Sequence, residues 1–225
     1  MITVLIPLYN GLEYLSESVG SVLSQSFNDW KLLIGINGHG DNSAHIANKI
    51  NEIIGSDTRI QVIIQPSIIN NKPKSLNNLM TYVTTEWVAI LDADDIWLPG
   101  KLQEQVNIIR KCDYEVIGTR CEYFGNRTGS PIIPLGQLKR GCTLASNPLI
   151  NSSVVLKSKY AKWEESTTIY EDYELWLKLD LARVQMYNIS SILVRHRIYE
   201  SSFFNTQRVD VNQLKNKFIT LFTDE

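Results

Sequence analysis

Neither sign of charge is in excess in this sequence: 22 Lys and Arg stand against 24 Asp and Glu, a net charge of -2. A chain that grips nucleic acid carries a basic patch or stripe, so no nucleic-acid partner is expected. No run of like charges marks an interaction tail. Cysteine is scarce. Cys112, Cys121 and Cys142 are odd in number and lack C-x-x-C spacing, which argues against a disulfide framework and structural zinc and points to a reducing compartment. No stretch approaches the roughly 18 unbroken apolar residues of a membrane span. The opening run Met1-Ile-Thr-Val-Leu-Ile has no basic start and is broken by Pro7, so it does not read as a signal peptide. Repeats, low-complexity tracts and linkers are also missing. The expectation is one cytoplasmic domain over residues 1–225, with 44% apolar residues to build its core.

What is present is an alternation of strand-like and helix-like segments. Ile2 to Ile6 is a short apolar run closed by Pro7, with Asn10-Gly11 as turn chemistry. Leu15, Val19, Val22 and Leu23 share one helical face. Residues 30–36 predict a second strand running into the turn-rich Asn37-Gly-His-Gly-Asp-Asn-Ser43. Asn42 or Ser43 can cap a helix carrying Ile46, Ala47, Ile50 and Ile54. A strand over 59–64, a polar loop over 65–74 and a helix marked by Leu76, Leu79, Met80 and Val83 lead to a fourth strand over 87–91. This alternation predicts an α/β fold with parallel strands joined by helical crossovers.

After Pro99 the pattern predicts a helix to about residue 110 and a strand over 115–120. Residues 121–150 are broken by Gly125, Gly129, Pro131, Pro134, Gly136 and Gly141 and read as loop with short strands. A strand over 152–157, a helix from Tyr170, two strands over 184–189 and 192–197, and a helix over 211–222 close the chain. Leu214, Phe218, Leu221 and Phe222 give that last helix an inward face, for docking on the core by default, or else for a homodimer or a membrane surface.

The chemistry concentrates in Trp87-Val-Ala-Ile-Leu-Asp-Ala-Asp-Asp95. Three carboxylates directly after a buried strand are costly unless something pairs with them. A hard divalent cation is one partner; an acidic loop or helix cap near Pro99 is the plainer alternative. In open α/β sheets the ligand crevice lies beyond the carboxyl ends of the strands, which is where this cluster falls.

Three stretches together, Ile6-Pro-Leu-Tyr-Asn10, Ile90-Leu-Asp-Ala-Asp-Asp95 with Trp97, Pro99 and Lys101, and Glu171-Asp-Tyr-Glu-Leu-Trp176, resemble family 2 glycosyltransferases of the GT-A fold over roughly residues 2–202. The resemblance implies one GT-A domain with a Rossmann-like, mixed but mostly parallel sheet flanked by helices. About 1–100 would bind a nucleotide sugar, about 101–202 an acceptor, and about 203–225 would form a helical tail. It implies inverting sugar transfer from a nucleotide-diphosphate sugar, most simply a UDP-sugar, to a hydroxyl of a glycan or lipid-linked glycan in surface polysaccharide synthesis. Asp92-Ala93-Asp94 corresponds to the family's DXD motif. Asp94 would hold Mn²⁺ or Mg²⁺, Asp92 would contact the nucleotide, and Asp95 would support either. Asp172, supported by Glu171, would be the general base; read without the family, it is more simply a helix cap. Pro7, Leu8 and Tyr9 would line the nucleotide, with Tyr9 otherwise a core aromatic. Lys74, Ser75 and Asn78, in a loop from Ser67 to Asn78, would lie near the donor. Lys72 and Lys74 could attract phosphate or simply be solvated.

Two departures from the family pattern stand out. Asn37 occupies the place of an acidic residue expected to meet uracil; its amide can still accept a hydrogen bond, and can also donate one, so uracil binding is expected to be weaker than with a carboxylate and another base becomes possible. Tyr199 sits where His is common, with Arg197 a candidate partner for the diphosphate and His196 read as structural. Asp41 matches the pattern and reads as a helix cap. These departures keep a non-catalytic nucleotide-sugar-binding protein open as an alternative. A sugar nucleotidyltransferase would want a Gly-rich basic loop after the first strand, and Ile6-Pro-Leu-Tyr-Asn-Gly-Leu-Glu13 lacks one.

Overall fold

The computed structural model describes residues 1–66, 71–199 and 210–223. The first hundred residues contain β1 (Ile2–Leu8), α1 (Leu15–Leu23), β2 (Trp30–Ile36), α2 (Ser43–Ile54), β3 (Ile60–Ile64), α3 (Lys72–Met80), β4 (Trp87–Ile90) and β5 (Ile96–Trp97). The second part adds α4 (Lys101–Lys111), β6 (Val116–Gly125), β7 (Gly136–Gln137), α5 (Cys142–Ala145), β8 (Val155–Lys157), α6 (Glu171–Leu181), β9 (Met186–Ile198) and α7 (Val211–Thr223).

The strands form one sheet in the order β3-β2-β1-β4-β8-β6-β9-β5, with β7 pairing β9. The long ladders, β1 with β2 and β4, β2 with β3, and β6 with β9, are parallel; β4–β8, β6–β8, β5–β9 and β7–β9 are short and antiparallel. β1 is central and almost wholly buried because helices cover both faces, which is why it reads as a continuous apolar run rather than an alternating one. Chain order moves outward from β1 to β3 and then returns to place β4 on the other side of β1. That reversal opens a crevice at the carboxyl ends of β1 and β4.

One apolar layer packs Val19, Val22, Ile46 and Ile50 of α1 and α2 on one face of the sheet. A second layer packs Leu76 and Leu79 of α3 with Trp163, Leu175, Trp176 and Leu179 on the other. α7 docks on α6, with Leu214 and Phe218 buried against Tyr173 and Leu177. Among the described residues no helix is long and apolar enough to cross a membrane.

Several boundaries differ from the sequence reading. α3 starts at Lys72, inside the expected loop, because Asn71 caps it and Pro73 suits the first turn. The two closing strands are one strand, β9, whose pairing with β6 shifts register between Thr119 and Cys121. Neither Asn42 nor Asp41 caps α2 through its side chain: Asn42 is the cap residue without a side-chain bond, and Asp41 is exposed in the turn before it. The Ser67–Asn70 part of the expected donor loop and Glu200–Ser202 lie outside the described residues.

Candidate active site

The acidic loop leaves β4 at the sheet's switch point and is tied down from three sides. The Ser18 hydroxyl of α1 shares its proton between the carbonyls of Ala93 (2.6 Å) and Asp95 (2.8 Å). The Asp92 N–H donates to Ser152 Oγ at 3.1 Å, while the Trp97 indole N–H donates to the Ser152 carbonyl at 2.6 Å. From β9, the His196 ring nitrogen Nδ1 meets both Asp95 carboxylate oxygens at 3.0 and 2.9 Å, and the Arg197 N–H donates to the same carboxylate at 2.9 Å. Asp95 is fully buried, so it acts as an internal brace for the loop. Below it, Lys101 is also fully buried, with Nζ 3.9 Å from the Trp97 ring centre and 2.9 Å from Gln105 Oε1.

The three carboxylates are electrostatically distinct. Burial would raise Asp92, but the Lys72 ammonium and the Asn151 amide overcome it and hold Asp92 below the usual range. At Asp94 the balance goes the other way: burial, then the Asp95 and Asp92 charges, outweigh the pull of His196 and push it up to about 6. Burial works against the charged form of His196, yet Asp95, then Asp92 and Asp94, hold it up at about 9. The Tyr199 hydroxyl hydrogen-bonds the Asp94 carboxylate, and its ring lies 5.8 Å from that of Tyr14. The Arg197 guanidinium is engaged within the protein, donating to the Asp94 carbonyl (2.9 Å) and Glu17 (2.8 Å) and stacking on Tyr14 and Phe124.

The acidic pair arrives from the other half of the chain. Tyr170 precedes it with φ 63° and ψ 28°, a left-handed conformation that side chains other than glycine rarely adopt. The helix therefore starts abruptly, with Glu171 and Asp172 in the first turn of α6 rather than at its cap. Negative charge is favoured there by the helix dipole. The Asn147 amide donates to Asp172 at 3.2 Å. Burial, then the Glu171 charge, push Asp172 up to about 6, with Lys72 and Asn147 pulling the other way.

Lys72 joins the two acidic elements. Its Nζ lies 2.6 Å from Asp92 and 3.2 Å from Glu171. Asn151 Nδ2 reaches both Asp92 carboxylate oxygens at 3.2 Å. Sequence reasoning had Lys72 only as an optional phosphate attractor, placed Asn147 and Asn151 in a loop expected to shape the acceptor site without giving either a role of its own, and left out Ser18. A lone lysine at a helix start and amides in an irregular loop carry no periodic signal; an unbalanced count of carboxylates in the motifs was the only hint.

The nucleotide end lies where β1 and β2 finish. Leu8 is buried and its carbonyl accepts from the Asn37 N–H at 2.8 Å. Pro7 and Tyr9 are half-buried, and the Tyr9 ring sits 5.9 Å from the His39 ring rather than in the core. Asn37 is 1% exposed and, among the described residues, its buried Oδ1 has no hydrogen-bond partner. Asn78 likewise has a buried Oδ1 without a partner. Lys74 is exposed on α3, where its backbone N–H donates the cap bond to Asn71 Oδ1. A hollow of about 450 Å³ lined by Glu86, Trp87, Cys112 and Glu115 lies at the opposite, amino-terminal end of β4 and belongs to none of this.

The residues fit a divalent cation. Among the described residues no three His, Cys, Asp or Glu side chains are grouped to hold a metal by themselves. Burial and the neighbouring Asp95 and Asp92 charges nevertheless push the Asp94 carboxyl up to about 6, and a cation completed by phosphate oxygens would favour its charged form.

The description Glycosyl transferase family 2 matches residues 3–148. The UDP-Glc:alpha-D-GlcNAc-diphosphoundecaprenol beta-1,3-glucosyltransferase WfgD of Escherichia coli is 25% identical over 210 residues, covering 90% of this chain and 79% of the relative. S. aureus TarS 1-349 in complex with UDP-GlcNAc superposes with a TM-score of 0.77 at 15% identity, over 99% of this chain and 65% of that one. The mannosyltransferase PcManGT of Pyrobaculum calidifontis in complex with GDP-Man and Mn²⁺ gives 0.68 at 12% identity, over 90% of this chain and 58% of that one.

Proposed function

The chain belongs to glycosyl transferase family 2, and from that premise we propose that it moves a sugar from a nucleotide-diphosphate sugar to an acceptor hydroxyl, with inversion at the anomeric carbon. The observation that carries this is the convergence of Asp92 and the Glu171-Asp172 pair on one ammonium group, Lys72, from opposite halves of the chain.

Inversion by direct displacement is a single exchange. The acceptor oxygen bonds the anomeric carbon as the carbon–oxygen bond to the diphosphate breaks, and that electron pair leaves with the diphosphate. The hydroxyl proton goes to Asp172. A general base works best with its pKa near the working pH, and Asp172, held up at about 6, is ionised at neutral pH yet basic enough to take the proton. Asp92 and the ends of β1 and β2 bind the nucleotide, and Asp94 holds Mn²⁺ or Mg²⁺. The cation supplies Lewis-acid stabilisation of the leaving diphosphate. PcManGT, named with Mn²⁺, supports the metal assignment by analogy of fold.

Asn37 bears on the base. Its orphaned acceptor Oδ1 needs an N–H, and an amide's adjoining acceptor and donor match the ring N–H and neighbouring carbonyl of uracil. Thymine and guanine offer the same N–H beside a carbonyl, so a UDP-sugar is favoured by the names of WfgD and TarS, which carry UDP-Glc and UDP-GlcNAc. The acceptor is a surface glycan or lipid-linked glycan, and the setting the cytoplasm. The test is nucleotide release from a panel of UDP-, GDP- and dTDP-sugars with Mn²⁺, with and without EDTA. UDP-sugar turnover that EDTA abolishes is expected; undiminished turnover in Asp172→Asn would remove the base, and turnover in EDTA would remove the metal.

A further inference from the structure

Lys72 is placed by a fixed support rather than on a free loop. Asn71 Oδ1 accepts from the Lys74 N–H at 2.8 Å and starts α3, while Asn71 Nδ2 donates to the Glu165 carbonyl at 3.1 Å. One turn on, Asn77 Nδ2 donates to the Trp163 carbonyl at 2.9 Å and to Glu165 Oε1 at 3.1 Å, and the Trp163 N–H returns a bond to Asn77 Oδ1 at 3.0 Å. The first turns of α3 are thus fastened to the segment that runs into α6. From that anchorage the Lys72 side chain spans two carboxylates that are 79 positions apart in the sequence, Asp92 at 2.6 Å and Glu171 at 3.2 Å.

We propose that Lys72 is a positioning residue of the transfer site, a single ammonium clamp that fixes the donor-side carboxylate Asp92 and the base-side pair Glu171-Asp172 as one unit. The inference rests on the transferase reading above. Its physical content is charge balance. The charged groups facing Asp172 are Glu171 on its own helix and Lys72 on α3; Asn147, from the loop after α5, is neutral. Glu171 opposes ionisation of the base and Lys72 favours it. With Lys72 removed, Asp92, Glu171 and Asp172 face one another without a shared cation. Asp172 then holds its proton at neutral pH, where a base must be free of it.

The test reads ionisation directly, apart from turnover. The Asp172 carboxyl is followed by ¹³C NMR titration, assigned by its disappearance in Asp172→Asn. Lys72→Met is expected to move the Asp172 titration to higher pH by at least about one pH unit, since a nearby opposite charge is worth about one to three. Lys72→Arg is expected to restore it. Glu171→Gln, which leaves Lys72 in place, is expected to move it to lower pH, so the inference stays testable if Lys72→Met does not fold. The acidic limb of kcat for the donor turned over in the panel is expected to follow the same order, with a loss of about fivefold or more for Lys72→Met at the wild-type midpoint. An Asp172 titration unmoved in Lys72→Met, or a rise in donor KM with the kcat limb in place, overturns the clamp and leaves Lys72 a plain donor contact. Absence of turnover in the wild type, with the titrations moving as stated, counts against the transferase reading and not against the clamp.

Discussion

Residues 1–91 and residues 115–199 both build sheet, but they close their irregular parts by different means. In the first region the work is done by long parallel ladders and apolar layers. β1 pairs over its whole length with β2, and its turns are short. In the second, single buried polar side chains hold loops to strands. Asp180 accepts from the Gly141 N–H, the Thr143 N–H and the Thr143 hydroxyl, and so holds α5 on α6. Tyr173 donates from its hydroxyl to the Thr143 carbonyl. Asn188 on β9 donates to the carbonyls of Pro134 and Pro148, both at 2.8 Å. Opposite Asn188 lies Gly118, where any Cβ would collide with the Asn188 side chain and Leu149. The lesson is that residues 1–91 are specified mainly by periodic burial, whereas residues 115–199 depend more on individual polar contacts. The latter can be changed without dismantling the sheet.

The sharpest way to separate the halves is Asp172→Asn. Loss of a general base typically costs about 10²- to 10⁴-fold in rate, and nucleotide affinity by calorimetry should stay near the wild-type value because Lys72 keeps its direct ion pairs with Asp92 and Glu171. In the wild type, kcat should fall as the pH drops below about 6, since Asp172 is pushed up to about 6 and must be deprotonated to act. A flat profile through that range would remove the assignment. Next in size is Leu76→Ala. Leu76 is wholly buried between α3 and the sheet, and the cavity should lower unfolding free energy by about 2–5 kcal/mol in a urea titration. Somewhat smaller is Asp180→Ala, which strips a carboxylate from its buried donors and should cost about 2–3 kcal/mol. Hydrogen exchange would sharpen the contrast: protection should drop around 141–147 with β1 and β2 unchanged, and an even drop across the sheet would break it. Smallest is Asn71→Ala, loss of one helix cap, at about 1 kcal/mol, with exchange rising at the start of α3.

The same contrast explains what could be read in advance. β2 was legible to the residue because its apolar run is bounded by turn formers. α2, α4 and α7 were legible through their apolar faces. The acidic stretch and the Glu171-Asp172 pair were legible because charge beside buried apolar residues is conspicuous. Lys72 was not, because an ion pair between residues far apart in sequence leaves no local pattern. The start of α3 was missed for a related reason: Pro73 reads as a loop residue unless Asn71 is recognised as its cap. His196 was read as structural from strand alternation, and it is indeed occupied by Asp95. That alternation did not keep Arg197 away from the same loop, because its backbone N–H and its guanidinium both reach it.

The bracing of the acidic loop has a further consequence, in entropy. Ser18, Ser152, His196 and Arg197 fix its backbone before any donor arrives. Ordering a flexible residue costs about 1–2 kcal/mol, a cost that here falls on folding and not on binding. Donor association should accordingly be a single fast phase in stopped flow, with no slow isomerisation of this loop behind it.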